Sequence, residues 1–207
     1  MPRITEVVKQ LLILNILLFG VAELLMPELR YILSLYYPIT DAFRPWQLVS
    51  HMFMHANFNH LLFNMFALYM FGTALESYWG GKRFLKFYLI CGFGALILYL
   101  GVLYLEVSAF DPLTYQAFIA RPFPMMGASG AIFGLLAGYG MMFPESKIML
   151  LIPPIPMKAK YFVIIYAVIE LIFGISGVQT GVAHFAHLGG ALFGALLIIY
   201  WRKTGEI

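Results

Sequence analysis

Six apolar runs separated by short polar breaks constrain this chain more than any other feature. They cover residues 10–26, 59–78, 84–105, 127–143, 161–175 and 182–201. A helix needs roughly 20 predominantly apolar residues to cross a bilayer core. A soluble fold could use such runs only by burying them all. The chain has 207 residues, of which 62% are hydrophobic and 11% charged, with a mean hydropathy of +0.85. That is more apolar surface than a soluble domain can hide. In lipid the backbone must satisfy itself, which favours helices. The expectation is an all-α membrane protein, a single bundle of six transmembrane helices over residues 1–207.

The breaks carry the organisation. Arg3 and Lys9 precede the first run, and no small-x-small cleavage site appears before Pro27. It reads as a retained helix rather than a signal peptide. Residues 27–55 mix Tyr31, Tyr36, Tyr37, Phe43 and Trp46 with Arg30, Asp41 and Arg44. Amphipathic aromatics favour the membrane–water boundary, so this stretch reads as an interfacial first loop. Residues 106–126 read as a connecting loop, with Asp111-Pro112 and Arg121-Pro122 as breakers. Residues 144–160 read as a proline-punctuated turn.

Charge orients the bundle. With both termini cytoplasmic, ten of the 13 Lys and Arg residues fall inside, and Arg30, Arg44 and Arg121 fall outside. That matches the excess of basic residues expected of cytoplasmic segments. The even-numbered runs then begin at the outer face. The expected location is a cell (inner) membrane, with any site near those starts opening outward. The net charge of +3 is spread over membrane flanks, which argues against a nucleic-acid partner. Cys91 is the single cysteine, so no internal disulfide forms.

Chemistry concentrates at those outer ends. Gly127-Ala128-Ser129-Gly130 opens the fourth run. A helix N-terminus leaves backbone N–H groups unpaired and favours negative charge. A serine there, between glycines that admit close approach, combines a nucleophile with an oxyanion site. The five histidines fall in two groups, His51, His55 and His60 before or within the second run, and His184 and His187 at the start of the sixth. Ionisable groups at membrane depth are costly and mark function. Ala186, Gly190 and Gly194 repeat every four residues in run six, as Gly130, Gly134 and Gly138 do in run four. Such stripes let helices pack closely, within reach of a Ser129–His187 hydrogen bond; ordinary membrane packing produces them too. His187 is the expected general base. Asn64 lies one helical turn after His60, and both side chains can donate to an oxyanion. Interhelical bonding is the alternative for Asn64. His51 and His55 read as loop-fixing groups, and His184 as support for His187. No aspartate is placed to orient His187. Glu170 lies mid-way along run five and reads as structural, which leaves a two-member Ser–His device.

The segment His51 to Asn64, the Gly127-Ala128-Ser129-Gly130 motif and Ala186-His187-x-x-Gly190 together resemble, in order, the signatures of the rhomboid family of intramembrane serine proteases. The resemblance implies a six-transmembrane-helix rhomboid-like bundle. It implies Ser129 as nucleophile, His187 as base, and His60, Asn64 and the Ser129 N–H as oxyanion donors, with Gly127, Gly130, Phe133, His55 and His184 in support. Glu76 resembles a residue that braces the cytoplasmic end. Two departures stand out. Trp46 is followed by Gln47 where many members have arginine, so the loop is anchored differently. Phe133 stands where many have a tyrosine stacked on the base, so stacking should persist without the hydroxyl. The implied activity is cleavage of single-span membrane proteins near the outer face of the bilayer, with no cofactor and no metal. Competing readings are a non-proteolytic binder on the same fold and a metal-dependent protein. His-x-x-x-His and His-x-x-His can bind zinc, but no carboxylate neighbours either pair in sequence.

Overall fold

The computed structural model describes residues 3–149, 154–176 and 183–207. Ten α-helices are described, in order α1 Glu6–Leu24, α2 Leu29–Leu33, α3 Gln47–Ser50, α4 Phe58–Ala67, α5 Thr73–Trp79, α6 Gly81–Ser108, α7 Pro112–Ala120, α8 Ser129–Met142, α9 Ala159–Ser176 and α10 His184–Thr204. A 3₁₀ turn, His51–Phe53, follows α3, and a π-helical turn, Leu68–Gly72, joins α4 to α5. Four of these helices, α1, α6, α9 and α10, are long and apolar enough to cross a membrane, and α8 is a shorter apolar helix. The second apolar run is α4, the π turn and α5, one helical stretch with its hydrogen-bond period locally widened.

The bundle is built around α6, α8 and α10, which pack on one another. Small residues let them do so. A Cβ on Gly134 would sit 2.3 Å from the Cys91 side chain of α6, and one on Gly194 2.8 Å from the Gly134 carbonyl. Far from Ser129, the rings of Trp79, Phe87 and Trp201 close the core, with Trp79 and Trp201 edge-to-face at 5.4 Å. Glu76 holds α1 there. Its carboxylate accepts from the Val7 and Val8 amides at 2.9 and 2.8 Å and from the Thr5 hydroxyl at 2.6 Å. Those amides belong to the first turn of α1, where the helix supplies no partner.

Two loop expectations need correction. Residues 106–126 are not a plain connection. The third helix runs on to Ser108, and Asp111-Pro112 starts α7 rather than stopping a helix. Asp111 caps it by accepting from the Leu113 and Thr114 amides at 2.9 and 3.2 Å, with Pro112 in the first turn, a position that suits proline. Residues 144–160 are not a plain turn, since β1 Lys147–Met149 pairs antiparallel with β2 Pro156–Lys158, with Ile148 opposite Met157. The expected start of the sixth run, Val182, lies outside the described residues; α10 is described from His184.

The first loop is folded on itself and onto the strand before Ser129. Gln47 is 1% exposed. Its side chain accepts from the Tyr36 and Arg44 amides and donates to the Ile32 and Ala42 carbonyls, at 3.0–3.4 Å. An amide with both donors and acceptors does here what arginine, a donor only, could not. A β-bridge pairs Leu35 with Met125, and the Gly127 amide donates to the His51 carbonyl at 2.9 Å. The loop thus fixes the chain that leads into α8.

Candidate active site

Ser129 is the first residue of α8, and Ile132 is the first in that helix whose amide bonds back, to the Ala128 carbonyl. The amides before it head the helix dipole. Gly127 enters this turn at φ +133°, a conformation that L side chains rarely adopt. A Cβ there would also lie 2.8 Å from His60 Nε2 and 3.5 Å from Ser129 Oγ. Glycine is therefore needed twice, for its φ and for the imidazole beside it.

His187 is buried in the first turn of α10, and its Nε2 lies 2.8 Å from Ser129 Oγ. Two helices 58 residues apart in sequence meet at that bond. Its closeness rests on the glycine stripes. A Cβ on Gly190, one turn on from His187, would fall 1.8 Å from the Gly130 carbonyl oxygen. Phe133 covers the other side of the imidazole, ring on ring at 4.1 Å and 7°, and Tyr166 of α9 stacks on Phe133 at 5.0 Å.

His60 faces the same turn from α4. Its Nδ1 accepts a long 3.4 Å bond from the Ala56 amide, which leaves Nε2, the nitrogen nearest Gly127, as the N–H donor. Asn57 caps this helix by accepting from the His60 amide at 2.9 Å. Asn64 is buried one turn deeper, and its amide donates to the His60 carbonyl at 2.9 Å. One of its N–H groups remains for another acceptor. His55 is fully buried and stands edge-on to His60 at 5.1 Å, and its two ring nitrogens have no hydrogen-bond partner among the described residues. His51 is fixed by the Gln47 carbonyl, 2.7 Å from its Nδ1. Burial pushes both of these imidazoles below the usual histidine range, His51 to about 4 and His55 to about 3. Both are neutral at pH 7.

Glu170, which reads from the sequence as structural, is buried in α9 and paired. Its Oε2 lies 2.7 Å from His184 Nδ1 and 3.0 Å from His187 Nδ1. The first is a hydrogen bond; the second is at ion-pair distance but off the N–H axis, so Nδ1 of His187 lacks an aligned partner. A carboxylate therefore does stand beside the His184–His187 pair, from the neighbouring helix. The signal available in the sequence was a lone acid in an apolar helix. Consecutive helices joined by a short connection pack antiparallel, which brings residue 170 level with the first turn of α10.

A sequence model of the Rhomboid domain matches residues 42–204. The chain belongs to the rhomboid family. It is 34% identical over 165 residues to Rhomboid protease AarA of Providencia stuartii, covering 74% of this chain and 55% of that protein. It is 30% identical over 159 residues to the mitochondrial Rhomboid protein 1 of Saccharomyces cerevisiae, covering 77% and 42%. It is 30% identical over 149 residues to Rhomboid protease GluP of Bacillus subtilis, covering 72% and 24%. The matched region thus spans about half or less of those relatives, and residues 42–204 of the family match include Ser129, His187, His60, Asn64 and Glu170.

Proposed function

We propose that this rhomboid is a serine-type intramembrane endopeptidase that cleaves single-span membrane proteins near the outer face of the bilayer. The observation that carries the reading is the 2.8 Å contact between Ser129 Oγ and His187 Nε2 at the N-terminus of an apolar helix. Relatives named as rhomboid proteases support it. Six membrane crossings, with α4 to α5 as the second and α8 as the fourth, both termini cytoplasmic and the first loop interfacial, complete the reading. The balance of basic residues supports that orientation, in an inner cell membrane.

In the first step His187 Nε2 takes the Ser129 proton and Oγ attacks the scissile carbonyl carbon. The negative charge that develops on the carbonyl oxygen is held by His60 Nε2–H, the free Asn64 N–H and the backbone amides that head α8. Collapse breaks the C–N bond, and His187 returns its proton to the leaving amine. Water, deprotonated by His187, then releases the acyl group from Ser129. A substrate helix must unwind locally to present its carbonyl, which favours small or helix-weakening residues at the cleavage point.

The test uses purified protein in liposomes with a fluorophosphonate probe and a model single-span substrate. Wild type should label and cleave, Ser129→Ala and His187→Ala should do neither, and chelators should have no effect. Cleavage that survives in Ser129→Ala would move the nucleophile elsewhere. A folded wild type that neither labels nor cleaves would favour a binding protein on the same fold, and chelator-sensitive cleavage a metal mechanism.

A further inference from the structure

The most unusual feature of α9 is what it buries. Only Ala159, at its first position, and Glu170 are buried in this 18-residue helix. The rest of its surface is largely open, as suits a helix that faces lipid. Beyond its first position, the residue that α9 buries in the bundle is therefore a carboxylate. Burying a carboxylate among apolar groups is costly unless it is paired. The pairing here is specific, since Oε2 sits 2.7 Å from His184 Nδ1 and 3.0 Å from His187 Nδ1.

Building on the Ser129–His187 reading above, we infer that Glu170 is a positioning residue for the general base and turns the Ser–His pair into a Ser–His–Glu relay. A carboxylate oxygen 3.0 Å from Nδ1 favours the Nδ1–H tautomer of His187. That leaves the lone pair on Nε2, the nitrogen 2.8 Å from Ser129 Oγ, which is the form that can take the serine proton. When His187 becomes imidazolium in the transition state, the anion lies next to the new charge. His184 holds the carboxylate from its other neighbour position one turn away, and its own ring stacks on Phe173 of α9 at 5.6 Å. The off-axis approach of Glu170 to His187 is what a resting site shows before substrate aligns it. Phe133 fixes the plane of the imidazole and Glu170 fixes its rotation within that plane.

The arrangement also ties catalysis to the seat of α9. Glu170 reaches His187 only while α9 is docked on α10. A displacement of about 1 Å removes the alignment on which such relays depend.

The experiment compares wild type, Glu170→Gln, Ser129→Ala and His187→Ala in liposomes, with kcat, KM, pH profile and Tm measured on each active form. The titratable groups that face Glu170 or His187 are His184 on α10, Tyr166 on α9 and His60 on α4. The expected Glu170→Gln result is a roughly 10²- to 10⁴-fold fall in kcat with little change in KM. The acid limb of kcat/KM should differ between wild type and Glu170→Gln, because the group beside the imidazole is no longer a carboxylate. A purely structural residue would lower Tm and leave the acid limb in place. That outcome, or a Glu170→Gln enzyme within threefold of wild type, overturns the proposal. If Ser129→Ala also retains activity, the serine mechanism itself has failed, and the two failures are thereby distinguished. A measurement on folded wild type needs no Glu170 variant. In ¹⁵N-histidine-labelled protein, the signal missing from His187→Ala should report the Nδ1–H tautomer at neutral to alkaline pH, and the Nε2–H tautomer would overturn the proposal.

Discussion

Phe133 lies flat on the His187 imidazole, with ring centroids 4.1 Å apart and planes 7° apart. The contact needs a ring face and no hydroxyl. Stacked aromatic pairs contribute about 0.5–1.5 kcal/mol beyond burial. Phe133→Tyr should therefore cleave a model substrate within about threefold of wild type, and Phe133→Leu, which keeps the bulk without the face, should lose roughly 3- to 10-fold in kcat. Equal rates for Phe133→Leu and wild type would mean that the stack does not orient the base.

The approach of α10 to α8 is set at Gly190. A Cβ there would lie 1.8 Å from the Gly130 carbonyl oxygen, so Gly190→Ala must push the helices apart by more than 1 Å. The Ser129–His187 bond one turn away cannot survive that shift, and a 1 Å misplacement of reacting groups costs on the order of 10²-fold. Gly190→Ala should lose at least that much cleavage together with its fluorophosphonate labelling. Gly101→Ala is the control, since a Cβ on Gly101 meets nothing within 4 Å. It sits inside α6 and should gain up to about 1 kcal/mol of stability with unchanged activity. Near-normal turnover in Gly190→Ala would show that the helices can separate without cost to the site.

These two residues also mark what is legible in the sequence. Apolar length and four-residue small-side-chain stripes are linear properties, so the long helices and the facing of run four on run six could be read directly. Ser129 and His187 meet 2.8 Å apart at the starts of α8 and α10, the shared depth that a common starting face for alternate runs predicts. Asp111-Pro112 was ambiguous, because the pair that interrupts one helix is also a good cap and first turn for the next. The partners of Glu170 are not legible for a different reason. Position along α9 says nothing about which neighbour the side chain meets, and only the lateral register of α9 on α10 makes it a partner of two histidines. Nothing in residues 68–72 marks the π turn.

At the opposite end of the bundle from Ser129, Glu76 replaces the missing helix partners of α1. It accepts three bonds at 2.6–2.9 Å, from Thr5, Val7 and Val8. Hydrogen bonds to a charged acceptor contribute about 1.5–3 kcal/mol each, and of the donors left behind the Val8 amide is buried and the other two half-buried. Glu76→Gln should keep part of the set and lose about 2 kcal/mol; Glu76→Ala should lose more. The expected readout is a fall in Tm for unfolding in detergent, larger for Ala than for Gln, while kcat of the folded fraction stays within about twofold. A large loss of kcat at unchanged Tm would mean that this end communicates with the site rather than bracing the fold.

His51 and His55 predict how stability responds to acid. Burial depresses both, to about 4 and about 3 from an ordinary value of 6.5. In the unfolded chain they take up protons near 6.5, while in the folded chain they resist until far lower pH. The unfolded state therefore binds more protons throughout the interval, so stability is fully present above about 6.5 and drains away as pH falls towards 4 and then 3. Carboxylates cannot account for loss that begins so early, since their ordinary range lies lower. Tm in detergent should fall between pH 7.5 and 5. His55→Asn, which does not titrate, should show a shallower fall over the same interval even if its Tm at pH 7.5 is lower. A His55→Asn slope equal to that of wild type would mean that His55 is protonated, or reached by water, in the folded protein.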